Sequence, residues 1–184
     1  MGISVSVIRV PLEPAVDVLS RRASLSDFAE YLDFELVPYD PDAGEREDLD
    51  PTSPEIRLWR SYGLVLDVLT ETAHEHHSSL FITDEFADPL AWAAFGARLP
   101  KWEGDRLLRY SLGSDLDAIC SALEAIDGQE LERRVWRVLR LAPQYEPEGC
   151  EPWVQNRMED IVPALQGLFQ RARSAGEIVI HQRF

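Results

Sequence analysis

The chain opens with Ile3-Ser4-Val5-Ser6-Val7-Ile8-Arg9-Val10 and closes with Ile178-Val179-Ile180 after a glycine, and these two stretches decide the fold. In the first, Ile3, Val5, Val7 and Arg9 fall on one side of an extended chain and Ser4, Ser6, Ile8 and Val10 on the other, because successive strand side chains alternate. Pro11 and Pro14 end it. The closing β-branched run reads as a second strand able to pair with the first. Strands at both ends, with a run of helices between them, define a helix-rich α+β single domain over 1–184. Its small mixed or antiparallel sheet is formed by strands from both chain ends.

Working inward, a short helix runs from Pro14 to about Arg21, and Ser24 with Asp27 caps a second that buries Phe28, Tyr31 and Leu32. An acidic loop without periodicity occupies about 38–53. Ser53-Pro54 then has the form of a helix start, and Ile56, Trp59, Leu66, Leu69 and Ala73, widened by Leu58, Tyr62 and Val65, predict a long central helix from there. Residues 79–83 read as extended. Asp88-Pro89 begins a helix ended by Gly96 and Pro100, and 106–112 alternates as a strand. Ser114 with Asp117 caps a helix burying Leu116, Ile119, Cys120, Leu123 and Ile126, stopped by Asp127-Gly128. Leu131, Val135, Val138 and Leu139 mark another. A Pro/Gly/Glu-rich loop at 143–152 leads to a final helix over about 153–175, where Pro163 predicts a kink or break.

The 184 residues carry a formal net charge of -15 and 45% hydrophobic residues. Attraction to nucleic-acid phosphate or an anionic membrane needs a net positive face, so the charge disfavours both. The apolar stretch Leu64 to Leu69 is interrupted by Asp67 and is far shorter than the ~20 residues that span a bilayer. The charge is uneven: residues 1–100 hold 19 acids and 7 bases, and Asp40, Asp42, Glu45, Glu47, Asp48, Asp50 and Glu55 are opposed only by Arg46. Cys120 reads as a small core residue, and Cys150 lies between Glu148 and Glu151, which disfavour its thiolate. With two lone cysteines and no signal segment, the chain is expected in the cytoplasm. Met1-Gly2-Ile3-Ser4-Val5-Ser6 matches an N-myristoylation pattern, but its residues continue into the first strand. Arginine outnumbers lysine by 17 to one, as high-GC bacterial genomes favour.

Chemistry-bearing residues are few. Asp67, Glu71 and His74 are spaced to share one helical face, with His76 and His77 beyond and Tyr62 nearby, which would suit a metal or small ligand. The zincin spacing is missing, Arg60 shares the face, and the simpler reading is a solvated surface. Arg133, Arg137 and Arg140, with Arg134 beside them, form a basic stripe that could dock an anion or acidic partner. The simpler reading is a solvated face with Glu130 paired to Arg134. Of five tryptophans, Trp59, Trp92, Trp136 and Trp153 lie in helical patterns and read as core. Trp102, in a loop, reads as a contact residue. The acidic loop lacks calcium-loop spacing. No phosphate-binding glycine loop, dinucleotide fingerprint, nucleophile elbow or paired-cysteine zinc spacing is present, so no catalytic, cofactor-binding or metal residue is assigned and no cofactor is expected.

Several segments together resemble the YfbM-like family of bacterial proteins of unknown function. They are Met1-Gly2 before a strand, Asp88-Pro89-Leu90-Ala91-Trp92-Ala93-Ala94-Phe95-Gly96, the run Leu116 to Asp127 with Glu130-Leu131 after it, and Leu165 to Ile180, in the family's order. Each is chiefly a core or cap pattern, so the ordering carries the weight. The resemblance implies an α+β domain without established activity and supplies no catalytic residue. It departs at Tyr62 and Leu66, which stand where the family has a tryptophan and, four residues later, a histidine. The acidity and scattered aromatics then favour a non-enzymatic protein-binding domain with a basic protein partner, an immunity or antitoxin role being its most concrete version. The alternative is a small-ligand-binding protein or enzyme using the polar face of the central helix.

Overall fold

The computed structural model describes residues 4–12, 15, 49–50, 52–59, 62–73, 86–99, 108–141 and 151–183. Four strands, β1 (Ser4–Pro11), β2 (Glu55–Trp59), β3 (Leu108–Ser111) and β4 (Glu177–Arg183), form one antiparallel sheet in the order β2-β1-β4-β3. The two chain ends pair at its centre, in register from Val5 opposite Arg183 to Pro11 opposite Glu177. Five helices are described: α1 (Tyr62–Thr70), α2 (Pro89–Phe95), α3 (Ser114–Glu124), α4 (Gly128–Leu141) and α5 (Glu151–Ala175). This is the helix-rich α+β architecture that the two terminal strands imply.

Both faces of the sheet are covered, which explains why Val7 on one side of β1 and Ile8 and Val10 on the other are all buried. Val5, Val7, Ile56, Leu58 and Val179 face the helices and join one core with Leu66, Leu69, Phe95, Ile119, Leu165 and Phe169. Ile8, Val10, Leu108, Ile178 and Ile180 gather on the far face with Ala15. At the β1–β2 end that face turns polar: Ser6 Oγ donates to Glu55 Oε1 at 2.7 Å, and Arg57 Nε donates to the same oxygen at 2.8 Å.

The long helix expected from Ser53 is instead a strand followed by a shorter helix. Ser53 Oγ does accept a nearby backbone hydrogen, from Glu55 N at 3.1 Å, but no helix follows. Residues 55–59 satisfy a helical stripe and a strand alternation equally. Pairing with β1, which places Ile56 against Val7 and Leu58 against Val5, selects the strand. Tertiary pairing overrides local pattern here. The central helix is α5, whose Val154, Met158, Ile161, Val162, Leu165, Leu168, Phe169 and Ala172 are all buried at helical spacing. It continues through Pro163 without a break. Gly176, with φ of 67°, ends α5 and turns the chain directly into β4.

Cap details also differ from expectation. Gly113, not Ser114, is the N-cap of α3. Its neighbour Asp115 instead accepts from Leu112 N and holds Arg98 in a two-pronged ion pair at 2.6 and 2.9 Å. Asp127 caps the following helix, its Oδ1 accepting from Glu130 N at 2.8 Å. The helix expected over 14–21 apart from Ala15, the helix expected over 24–32, the extended stretch at 79–83, most of the acidic loop and the loop 143–150 lie outside the described residues. Asp50 alone of that loop's acids is described, its side chain accepting from Thr52 N and Oγ1 in a turn leading to β2.

Phe169 is fully buried where α5 crosses the sheet. Phe169→Ala should destabilise the fold by about 3–5 kcal/mol in urea titration; a loss under about 1 kcal/mol would mean that α5 is not the principal buried helix.

Candidate functional site

Of the residues singled out on the central polar face, Tyr62, Asp67 and Glu71 are described, and they lie in different surroundings. Helix α1 ends at Thr70, and Glu71 takes a left-handed conformation with φ of 54°. The terminus closes by a Schellman bond in which Thr72 N donates to Asp67 O at 3.1 Å. Because the helix stops there, the four-residue phase from Asp67 to Glu71 is lost. Asp67 is fully buried in the core, Tyr62 is buried edge-on against Phe95 at 5.7 Å, and Glu71 reaches toward α4. His74, His76, His77 and Arg60 lie outside the described residues, as do Trp102 and Cys150. Among the described residues no group of three His, Cys, Asp or Glu side chains is placed to hold a metal ion.

Glu71 is instead the acceptor of the arginine stripe. Arg133 meets it two-pronged, Nη1 donating to Oε2 at 3.0 Å and Nη2 to Oε1 at 2.7 Å, and Arg137 Nη1 donates to Oε2 at 2.9 Å. Arg134 Nη2 lies 3.4 Å from Oε1, and its Nη1 donates to Leu69 O at the open end of α1. Cationic side chains at a helix C-terminus offset the macrodipole and satisfy orphan carbonyls. Glu130 pairs with Arg134 four residues on, as the sequence suggests, and also with Arg133. The Arg133 hydrogen bond, then the surrounding guanidinium charges, hold the Glu71 carboxyl below its usual range. The same guanidinium takes Glu130 down to about 2. A non-glycine residue in the left-handed region costs about 1–2 kcal/mol, and this clamp offsets it. The cluster is an α1–α4 staple.

A second polar group, missed by sequence reasoning, sits inside the sheet–helix core. Arg109 on β3 and His181 on β4 are register partners and both fully buried. His181 Nε2 lies 3.1 Å from Ala93 O on α2; a carbonyl only accepts, so Nε2 carries the proton. Nδ1 then holds a lone pair without a hydrogen-bond partner. Arg109 Nε donates to Gly96 O at 3.1 Å, and its guanidinium lies over the Phe86 ring at 5.7 Å. Phe169 stacks on the imidazole at 6.1 Å. Gly96, φ 84°, lies so close that a Cβ there would meet Arg109 Cβ at 2.9 Å and His181 Nδ1 at 3.0 Å. Burial first, and then the Arg109 charge, drive His181 down to about 4 despite the favourable Ala93 contact. The imidazole is therefore neutral and closed off from solvent. The available signal was phase: Arg109 and His181 occupy the core-facing positions of their strands, where an alternating pattern calls for apolar residues.

Two of the tryptophans read as core are on the surface. Trp136 is 44% exposed and Trp153 is 56% exposed. Leu131, Val135, Val138 and Leu139 fill the buried side of α4, and Trp136, one residue past Val135, lies beyond it. Trp92 is partly buried, and its indole N–H donates to Phe86 O. Cys120 is buried, which raises its thiol's pKa as the sequence suggests for a core residue. No helix among the described residues is long and apolar enough to cross a membrane.

The fold defines a helix-rich α+β protein in which the two chain ends form the centre of a four-stranded antiparallel sheet. A solved structure with this fold is the Escherichia coli protein of unknown function YfbM, similar over 99% of each chain with a TM-score of 0.62 and 16% sequence identity. At that identity the likeness is one of fold, and it agrees with the YfbM-like resemblance read from the order of segments. No family model matches the chain, and no curated protein does.

Lowering the pH from about 7 to about 4 protonates an unfolded histidine but not buried His181, so the unfolded chain gains protons that the folded one does not. Stability should fall by about 3 kcal/mol over that window relative to His181→Gln, which keeps the donor to Ala93 O without titrating. Parallel pH–stability curves for the two proteins would contradict a buried neutral imidazole. Gly96→Ala should lose several kcal/mol through clash and positive φ, measured by thermal melting; an unchanged melting temperature would contradict the close approach.

Proposed function

We propose that this chain is a cytoplasmic, non-enzymatic protein-binding domain. Its most concrete version is an immunity- or antitoxin-like protein that receives a basic partner on its acidic N-terminal half. The exposure of Trp136 and Trp153, both in the second half of the chain, supports protein binding as such, whatever the sign of the partner. Large aromatic side chains are enriched among the anchors of protein interfaces and are usually withdrawn from water elsewhere. The sign of the partner follows from charge: the first hundred residues have 19 acids against 7 bases, a field that accelerates encounter with a cationic surface and repels an anionic one. The polar face of α1 offers the competing small-ligand reading little support, because Glu71 is already held by three arginines.

Capture on the immobilised full chain with salt-graded elution tests this reading. A basic protein released as ionic strength rises through roughly 0.1 to 1 M is the expected outcome, since screening shortens the reach of exposed charges. Recovery of no protein partner even at low salt would overturn it.

A further inference from the structure

The solvent face of α4 is a second amphipathic stripe. Arg133, Trp136, Arg137, Arg140 and Leu141 follow at spacings of three, one, three and one, which places them on one side of the helix, opposite the buried residues. All five are exposed. Leu141 is 53% exposed and the Arg137 side chain 57%. Arg140 makes no ion pair among the described residues. Arg133 and Arg137 are pre-positioned by Glu71, so holding them against a partner sacrifices less side-chain entropy than two free arginines would. Among the described residues, the acids near this face are Glu71, Glu130 and Glu132. The first two are taken up by Arg133, Arg134 and Arg137, and Glu132 lies one turn before Trp136. The stripe is thus positive toward its C-terminal end, on a molecule whose net charge is -15.

We propose that Trp136, Arg137, Arg140 and Leu141 form a docking surface for an acidic, amphipathic segment of a partner protein. Arginine forks suit carboxylates, and Trp136 and Leu141, which flank Arg137 and Arg140 on either side around the helix, offer apolar contacts at the edges of such a segment. The sign of the patch excludes the basic partner expected at the N-terminal half, so this surface is additional to that one. Charge complementarity chooses the occupant: a short acidic segment meets the arginines locally, whereas a duplex or anionic membrane would also meet the repulsion of the whole anionic molecule.

The test is fluorescence anisotropy of the full chain with a labelled synthetic peptide of about 15 residues carrying leucine and phenylalanine on one helical face and glutamate on the other. Saturable binding weakened by salt is expected, and Trp136→Ala and Arg140→Glu should each reduce affinity about tenfold or more. Glu132→Lys should strengthen it a few-fold. A peptide with alanine in place of its apolar residues, and one with lysine in place of glutamate, should bind far more weakly. Circular dichroism should be unchanged in the variants, since the substituted side chains are exposed. The proposal is overturned if the acidic peptide does not saturate, or if its affinity is indifferent to both variants. It is also overturned if a DNA duplex or phosphatidylserine vesicles bind as tightly through the same residues. Because the titration needs no basic partner, failure to capture one would leave its outcome unaffected.

Discussion

The antiparallel pairing of the two chain ends is the constraint on which the rest of the structure depends. β1 and β4 are the inner strands of the sheet, and among the named strands β2 pairs with β1 and β3 with β4. Without that pairing neither edge strand has a place. Ion-paired Arg9 and Glu177, 168 residues apart in sequence and 3.1 Å apart in space, mark one end of the contact. Closing so long a loop is entropically unfavourable, and the interactions that offset it are apolar ones on both faces of the sheet. α5 is central to this because it ends at Gly176 and feeds β4 directly, so its packing and the strand's register are set together.

That arrangement also accounts for the polar residues in the core. β3 is short and lies beside β4, and the segment from Gly96 to Arg98 runs against it, Arg98 exchanging backbone hydrogen bonds with Tyr110 at 2.8 and 2.9 Å. Gly96 is thereby pressed onto Arg109 and His181. The carbonyls of Ala93 and Gly96, at the end of α2, would otherwise face the sheet without partners. His181 and Arg109 supply donors to them. Buried donors matched to helix-terminal acceptors are structural in the first instance. On the outside of the same fold the Glu71 clamp performs the equivalent task for α1, drawing on Arg133, Arg134 and Arg137 of α4, while Trp136 and Arg140 stand exposed beside it.

Much of the architecture was legible because it rests on local periodicity. The alternation of Val5, Val7, Ile8 and Val10, the Asp88-Pro89 start of α2 and the stripe Leu131, Val135, Val138 and Leu139 each have one reading. Residues 55–59 did not, since their apolar spacing fits both helix and strand, and only β1 decides between them. The grouping of Asp67 with Glu71 failed for a related reason: it assumed a helix continuing past Thr70, whereas Glu71 adopts a positive φ that no propensity favours and that distant arginines hold. Trp136 and Trp153 were misplaced because hydrophobicity alone does not say which side of a helix faces its neighbour. Arg109 and His181 were legible only as exceptions to strand alternation, and their partners, the backbone carbonyls of α2, leave no mark in sequence.

Native-state hydrogen exchange on the full chain tests the central role of the terminal strands most directly. The amides of β1 and β4 that bond to each other should exchange only through global unfolding, with the same free energy and the same denaturant dependence as the most protected amides of α5. Exchange of β4 through a separate, lower-energy opening while α5 and β1 remain protected would show that the pairing of the chain ends is an addition to the fold and not its foundation.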